Sequence, residues 1–331
     1  MNNDRKPISL VLGANGFLGS HICKQLAQRD DDVRMMVRKS SDTRSVDELN
    51  LPKYYGDVMN KASLVQAMQE CDVVYYCVVD TRAWLKDTAP LYRTNIDGLK
   101  NALDTAVEVG VDKFVFTSSI VTIGLNPSGI ATEDDTFNWH GKAPDYVRCR
   151  VQAEHMLLDY CRDYALPGVA MCVANTYGPG DFQPTPHGEL IKNVAFEKLS
   201  LPIDCYNPVV DIRDAAQAMI LASEKGRSGE RYIVAGEHAN QIQLFQWAAE
   251  AAGVEAPKRK LSIPVIHTIA LVAQSVLKLV GKRTSLNTES VLLSHVFNEM
   301  NCQKAKDELG WQPRPIRESI RDAVDFYLRH P

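Results

Sequence analysis

The chain has 331 residues, a formal net charge of −4 and 45% hydrophobic side chains, which excludes an intrinsically disordered protein. A weakly acidic chain offers no strong positive field, so we expect no nucleic-acid partner. The eight cysteines are scattered without a Cys-x-x-Cys pair, and a polar segment without a secretory signal precedes the first apolar run. Both features predict a cytoplasmic protein.

Short β-branched runs alternate with amphipathic segments through the first half of the chain. The predicted strands are 8–12, 33–37, 53–55, 72–79, 113–117 and 169–173. The predicted helices among them include 18–28, 62–69 and 91–109. Strands that alternate with helices predict an α/β protein with a doubly wound parallel sheet. Ligands of such sheets bind beyond the carboxyl ends of the strands.

Proline-rich turns break this pattern after about residue 178. The helices predicted beyond that point are 188–199, 213–224, 243–252, 264–280 and 316–328. We expect residues 1–177, with 205–235 returning to the sheet, to form a dinucleotide-binding domain. Residues 178–204 and 236–331 should form a smaller C-terminal substrate-binding lobe. Polar residues interrupt the apolar stretch 263–280, which therefore predicts a buried helix or a peripheral membrane contact and no transmembrane span.

A glycine-rich turn follows the first predicted strand and opens the first helix. Gly13, Gly16 and Gly19 allow a tight turn, a close approach of the backbone to a pyrophosphate, and close packing of helix on strand. The helix N-terminus then offers free N–H groups to the phosphates. This context predicts a Rossmann-type dinucleotide site.

The end of the second strand distinguishes between the two nicotinamide cofactors. NAD sites usually place an Asp or Glu there, whereas this chain has Arg38 and Lys39. A guanidinium can hold the 2′-phosphate of NADP(H) in a fork, so the pattern favours NADP(H), with NAD(H) possible and a solvated loop as the alternative. After the third strand, Asp57 could accept a hydrogen bond from adenine or precede a helix cap at Asn60.

Three further residues predict acid/base chemistry. Ser119 follows the fifth strand, and Tyr146 and Arg150 lie four residues apart at the start of a helix, on one face. A cation there favours tyrosinate and brings the pKa of Tyr146 toward the working pH. The Ser119 hydroxyl could hold the same substrate oxygen.

Five sequence blocks, in order along the chain, carry a family resemblance. They are DTRAW at 80–84, YRTNIDG at 92–98, YGPGD at 177–181, GERY at 229–232 and LGWQPRP at 309–315. With them the chain resembles an extended short-chain dehydrogenase/reductase of the epimerase/dehydratase superfamily. It is most similar to dihydroflavonol 4-reductase-like and hopanoid-associated sugar-epimerase-like bacterial proteins, near 3β-hydroxysteroid dehydrogenases.

The resemblance implies a role for each candidate. Ser119 and Tyr146 match the active-site serine and the acid/base tyrosine, Arg150 takes the place of the catalytic lysine, and Asn95 matches the asparagine that steadies the active-site helix. The predicted cofactor-binding set is Gly13, Asn15, Gly16, Phe17, Leu18, Gly19, Arg38, Asp57, Val58, Cys77, Val78, Asn95, Tyr146, Arg150 and Val173. Many relatives pair through two helices, so a homodimer is possible.

The chain departs from the family pattern at the nicotinamide end. Arg150 stands where the family has its catalytic lysine, and Cys149 stands where a serine is usual. Val78 and Val79 replace two alanines, and Val173 replaces a proline. Arginine keeps the positive charge but cannot release a proton. Because the tyrosine, the serine and a cation all persist, we expect catalysis to be retained.

These observations predict an NADP(H)-dependent oxidoreductase whose small-molecule substrate is a hydrophobic secondary alcohol or the corresponding ketone. One alternative is a nucleotide-sugar epimerase or dehydratase, which Asn207 weakens because relatives often have an arginine there. Another is a non-catalytic NADP(H) sensor or scaffold. Trp84, Phe137 and Trp139 could line a substrate pocket or simply pack, and the histidines lack metal-ligand spacing, so no metal is expected.

Overall fold

The computed structural model describes residues 6–82, 87–141, 143–198, 201–279 and 286–331. The strands are β1 (Ile8–Leu12), β2 (Asp32–Val37), β3 (Lys53–Tyr55), β4 (Val73–Tyr76), β5 (Lys113–Ser119), β6 (Ile130–Ala131), β7 (Gly168–Val173), β8 (Asn175–Tyr177), β9 (Tyr206–Asp211), β10 (Arg231–Val234), β11 (Glu237–Asn240) and β12 (Glu299–Met300). The helices are α1 (Phe17–Gln28), α2 (Lys61–Met68), α3 (Ala89–Tyr92), α4 (Gly98–Val109), α5 (Asp145–Asp163), α6 (Pro186–Ala195), α7 (Ile212–Lys225), α8 (Gln241–Ala252), α9 (Ile263–Leu279), α10 (Thr288–Leu293), α11 (Gln303–Leu309) and α12 (Ile316–Arg329). A π-helical turn, Arg93–Asp97, joins α3 to α4.

Seven strands form the main sheet in the order β10-β7-β5-β4-β1-β2-β3, and every neighbouring pair is parallel. Alternate residues of each strand face opposite apolar layers. Val11 packs with α1 and α7 on one face, while Leu10 and Leu12 pack with α2, α4 and α5 on the other. The predicted doubly wound Rossmann-type fold is confirmed. Its crevice lies where the order reverses, between the ends of β1 and β4.

A smaller sheet lies beyond the main one. Its order is β11-β9-β8, and its strands share a separate apolar cluster with α6, α8 and α12. Within 205–235, β9 belongs to this small sheet, whereas β10 pairs with β7 at the edge of the main sheet. The two-stranded pair β6–β12 connects the loop after β5 with the C-terminal region.

Trp311 and Arg314 attach the C-terminal region to α7. The indole N–H of Trp311, which is fully buried, donates to the Asp214 carbonyl oxygen at 2.8 Å. Arg314 forms an ion pair of 2.8 Å with the Asp214 carboxylate. These contacts give the block at 309–315 a packing role.

The apolar stretch 263–280 forms α9 as far as Leu279, and residue 280 lies outside the described residues, as does Trp84. Among the described residues, no helix combines the length and the apolar character needed to cross a bilayer.

His21 connects α1 to the turn that leads into the lobe. Its Nε2 lies 2.8 Å from the Pro179 carbonyl oxygen, which can only accept, so the ring is protonated at Nε2. Burial, assisted by the charge of Lys24, lowers the pKa of His21 to about 4. Burial also lowers the pKa of His187, in α6, to about 4. Both rings are therefore neutral in the folded protein near neutral pH.

We predict that the free energy of unfolding falls as the pH drops from about 6.5 toward 4. Between these pH values the two histidines are protonated in the unfolded chain but remain neutral in the folded chain. Their contribution to the free energy of unfolding is therefore complete above pH 6.5 and is lost as the pH falls toward 4. In His21→Gln the amide can still donate to Pro179 but does not titrate. We expect the free energy of unfolding, measured with urea, to fall between pH 7 and pH 4 by about 3 kcal/mol less in this variant than in the parent. Equal losses would contradict the neutral state of His21.

Candidate active site

The glycine turn between β1 and α1 has a backbone that only glycine fits. Gly13 has φ +79°, and its N–H donates to the Met36 carbonyl oxygen at 3.3 Å. An ideal Cβ on Gly19 would lie 2.3 Å from the Gly13 carbonyl oxygen. No side chain caps the N-terminus of α1, which begins after Gly16. The first-turn N–H groups can therefore bind an anion, and this cradle fits a pyrophosphate.

The same turn lies against the end of β4. An ideal Cβ on Gly13 would lie 3.0 Å from the Cys77 carbonyl oxygen and 3.2 Å from Cγ2 of Val78. Val78 is half-buried, so its side chain narrows the space beside the loop. Thr117 donates to the Cys77 sulfur at 3.6 Å, which places the end of β5 next to this region.

The loop after β2 folds back over the glycine turn. Asn15 donates from Nδ2 to the Asp42 carbonyl oxygen at 3.1 Å, and the Ser45 hydroxyl donates to the Asn15 carbonyl oxygen at 2.9 Å. The Asp42 carboxylate pairs with Arg44 at 2.6 Å. The sequence analysis did not predict this folding of the loop, because its contacts with Asn15 join residues 27 and 30 positions apart.

Arg38 and Asp57 lie at the ends of neighbouring strands. The Gly56 N–H donates to the Val37 carbonyl oxygen at 3.0 Å, which sets the two loops side by side. Arg38 and Lys39 are exposed, and within the described ranges neither forms an ion pair. Asp57 accepts from the Met59 N–H at 2.9 Å, while Asn60 caps α2. Asp57 thus has a turn role whether or not it also contacts adenine.

Val58 and Asn95 fix the start of α4 beneath the crevice. Val58 is buried, and its Cγ2 would lie 2.7 Å from a Cβ on Gly98. Asn95 is buried in the π-helical turn and exchanges two hydrogen bonds of 2.9 Å with the backbone of Asp80. The amide therefore holds the loop that follows β4.

Ser119 and Tyr146 meet at the end of the main sheet. Helix α5 begins after Pro144, whose extended backbone starts the helix sharply. Ser119 lies close enough to the Tyr146 phenol for its side chain to lower the pKa of that phenol, while its Oγ accepts from the Val121 N–H at 3.4 Å. Burial raises the pKa of Tyr146 above its ordinary value, although Arg150 and then Ser119 act in the opposite direction. We expected Arg150 to bring this pKa down toward the working pH, and the opposing desolvation outweighs it.

Arg150 is 1% exposed and lies one helical turn after Tyr146. Its Nη2 donates to the Thr117 carbonyl oxygen, and its guanidinium lies 5.2 Å from the centre of the Phe116 ring. Its Nε has no hydrogen-bond partner within the described part of the chain. A buried cationic donor without a partner is costly, so this N–H fits an acceptor on a bound molecule, such as a ribose hydroxyl.

A sequence profile described as the NAD dependent epimerase/dehydratase family matches residues 9–235. The chain belongs to this family.

Similar proteins extend over nearly the whole chain. Sterol demethylase protein B of Methylococcus capsulatus is 29% identical, covering 96% of this chain and 98% of that protein. A putative dihydroflavonol 4-reductase of Synechocystis sp. is 27% identical, and the match covers 97% of this chain and 94% of that protein. The crystal structure of gox2253 is 29% identical with a TM-score of 0.86, covering 98% of this chain and 99% of that one. These relatives confirm the resemblance to extended short-chain dehydrogenases/reductases.

In this family member, Val173 and the aromatic candidates have packing partners. Val173 is buried and pairs in register with Ser119 across β5 and β7. Phe137 and Trp139 are buried with ring centres 5.1 Å apart, and Trp139 lies 6.4 Å from Phe297. Both rings belong to the core cluster, so packing accounts for them.

Glu154 is a buried carboxylate on α5, one turn after Arg150, that the sequence analysis missed. Its Oε2 accepts from Ser118 and, at 2.9 Å, from Thr122, while Cys172 lies 3.3 Å away. Its Oε1 pairs with Arg231 of β10 at 3.0 Å. Burial and the Glu154 charge raise the pKa of the Cys172 thiol. This network attaches α5, which carries Tyr146, to the two strand ends beneath it.

We predict that Glu154→Ala lowers the free energy of unfolding of this family member by about 3–5 kcal/mol, measured by urea unfolding. The substitution leaves the largely buried Arg231 without its counter-ion and removes the acceptor of Ser118 and Thr122.

The matched control is the double variant Glu154→Met/Arg231→Met, which removes both charges and keeps apolar volume. It should recover most of the loss, because no unpaired charge remains. A loss below about 1 kcal/mol in Glu154→Ala would show that the pair does not hold α5.

Proposed function

We propose that this protein is an NADP(H)-dependent oxidoreductase that interconverts a hydrophobic secondary alcohol and its ketone. One observation carries the proposal: Tyr146 lies beside Ser119 and one helical turn before Arg150, whose buried guanidinium keeps an unused donor. A proton donor, an oxygen-orienting hydroxyl and a fixed cation are the groups that carbonyl reduction needs from a protein.

Each side chain has a separate task. A bound nicotinamide ring supplies the hydride exchange. The Ser119 hydroxyl holds the substrate oxygen, and the Tyr146 phenol exchanges the proton of that oxygen. Because burial keeps Tyr146 protonated at neutral pH, its resting state suits proton donation to a ketone oxygen. Arg150 then stabilises the phenolate that this donation leaves and offers Nε to the ribose.

The character of the substrate is inferred from two sources. The relatives are described as a sterol demethylase protein and a dihydroflavonol reductase, names that refer to large, mainly apolar ring systems. Val78 and Val173, both beside the cofactor region, make the nearby wall apolar. A sterol-like or flavonoid-like ketone is the substrate class that we propose.

A nucleotide-sugar epimerase or dehydratase is the second candidate, because the family includes both activities and Asn175 lies at the start of β8. Such an enzyme would need a cation at position 207 to bind the substrate diphosphate. This chain has Asn207 there, which donates to the Ser294 carbonyl oxygen at 2.7 Å. Stoichiometric NAD retained through purification would favour this candidate over the reductase.

We predict that Tyr146→Phe lowers kcat at least 100-fold on a panel of hydrophobic ketones, sterols included, with NADPH as reductant. The Kd for NADPH, measured by fluorescence, should change less than about three-fold. The phenylalanine keeps the packing and removes only the proton donor. Binding of NADPH without turnover in the parent as well as the variant would favour a non-catalytic sensor.

Variants of Arg150 supply the control for this experiment. Arg150→Lys should retain activity because it keeps a cation near the phenol, whereas Arg150→Met should lose at least 100-fold in kcat. Full activity of Arg150→Met would refute the role given to the guanidinium.

We predict that Arg38→Ala raises the Kd for NADPH about ten-fold or more and leaves the Kd for NADH within two-fold. A charge-assisted hydrogen bond to the 2′-phosphate exists with NADPH alone. Arg162→Ala is the charge-matched control, because Arg162 is exposed in the last turn of α5, far from the crevice. Equal losses for both cofactors would overturn the preference for NADP(H).

A further inference from the structure

Helix α9 has an apolar stripe that no described part of the chain covers. The stripe consists of Val265, Ile269, Val272 and Val276, whose side chains are 47%, 41%, 56% and 54% exposed. Their spacing of four, three and four residues aligns them along one face of the helix. Four adjoining branched side chains form a continuous apolar patch, which is uncommon on a protein surface without a partner.

The stripe is not the face that attaches α9 to the protein. That second face carries Ile266 and Ala270, which are buried against Val291 of α10 in a small cluster of their own. The polar side chains His267 and Gln274 lie on the opposite flank of this face, together with Leu271, which is 51% exposed. Helix α9 therefore has two apolar faces: one packs against α10, and the other, the stripe, is exposed and available to a binding partner.

Short contacts fix the position of this helical pair on the lobe. Ile203 forms a bridge with Leu261 just before α9 begins, and Gln274 accepts from the Thr288 N–H at 3.3 Å. Asn207 donates to the Ser294 carbonyl oxygen at the end of α10. The stripe thus belongs to an anchored structure.

The charge around α9 is positive, in contrast to the protein as a whole. Residues 256–288 contain six of the chain's 37 Lys and Arg and none of its 41 Asp and Glu. The six are Lys258, Arg259, Lys260, Lys278, Lys282 and Arg283. Lys258 pairs with Glu255 at 2.8 Å and Lys260 with Asp204 at 2.6 Å. Even with these two carboxylates counted, the segment has an excess of four positive charges, whereas the formal net charge of the chain is −4. Lys258, Arg259 and Lys260 directly precede the exposed apolar helix, and this combination complements a surface that is apolar inside and anionic outside.

We propose that α9 binds the surface of a bilayer that contains anionic phospholipids. The helix lies parallel to the surface, the stripe enters the boundary between headgroups and acyl chains, and the basic residues just before the helix, Lys258, Arg259 and Lys260, contact lipid phosphates. This inference goes beyond the proposed reaction and does not depend on it.

The test is flotation of the full chain with vesicles of phosphatidylcholine, with and without 30% phosphatidylglycerol, so it needs no enzymatic assay. We expect binding to the anionic vesicles, at least ten-fold weaker binding to pure phosphatidylcholine, and at least a ten-fold loss between 50 and 500 mM NaCl. Absence of binding to the anionic vesicles at 50 mM NaCl, or equal binding to both vesicle types, would overturn the proposal.

A matched pair of variants tests the face. Val272→Glu places a charge in the centre of the stripe, and His267→Glu places the same charge on the polar flank of the same helix. Because both side chains are exposed, both variants should keep the parent's melting temperature within about two degrees. Val272→Glu should weaken vesicle binding at least ten-fold, and His267→Glu less than three-fold.

Equal effects of the two variants would overturn the assignment of the face. The competing occupant is a second copy of this chain. A dimer in sedimentation that Val272→Glu dissociates, together with no binding to vesicles, would replace the lipid proposal. Neutralisation of Lys258, Arg259 and Lys260 to Gln should lower anionic vesicle binding at least ten-fold and leave any such dimer intact.

Discussion

The attachment of α5 to the end of β5 is the constraint on which the candidate site depends. Arg150 donates to the Thr117 carbonyl oxygen, and Glu154 accepts from the Ser118 hydroxyl. The next residue of the strand, Ser119, lies beside Tyr146 of the same helix, close enough to lower the pKa of its phenol. Three successive residues of one strand thus face successive turns of one helix. The contacts of Thr117 and Ser118 therefore fix the position of the phenol relative to the Ser119 hydroxyl.

Two buried guanidiniums on this framework differ in their partners. Arg231 has the Glu154 carboxylate and main-chain oxygens of the loop before α5, so its charge is compensated within the fold. Arg150 has one carbonyl oxygen and an aromatic face, and keeps a free N–H. Because an unpaired buried donor destabilises a protein, an acceptor on a bound molecule would recover that cost at Arg150. The contrast separates the structural cation from the one available for a ligand.

The sequence predicted the main sheet well, because six of its seven strands are short apolar runs between clear helical patterns. The small strands β9 and β11 escaped prediction, since β9 contains Asn207 and Pro208 and β11 is mostly polar. Tyr146 and Arg150 could be paired from spacing alone. Glu154 could not, because its partners come from β5, the turn after it, β7 and β10. The direction in which the pKa of Tyr146 shifts could not be predicted, because residue spacing reveals the nearby cation but not the burial that opposes its effect.

The π-helical turn Arg93–Asp97 makes the position of Asn95 sensitive to chain length. Such a turn holds one residue more than an α-helical path would. Deletion of a single residue there would restore uniform α-helical winding and leave α3 and α4 nearly in their present alignment, but the residues of the turn would change their positions. Asn95 would then lose its two hydrogen bonds with the Asp80 backbone. Insertions and deletions should therefore be tolerated poorly at this point, even though most helices of this length absorb point substitutions readily.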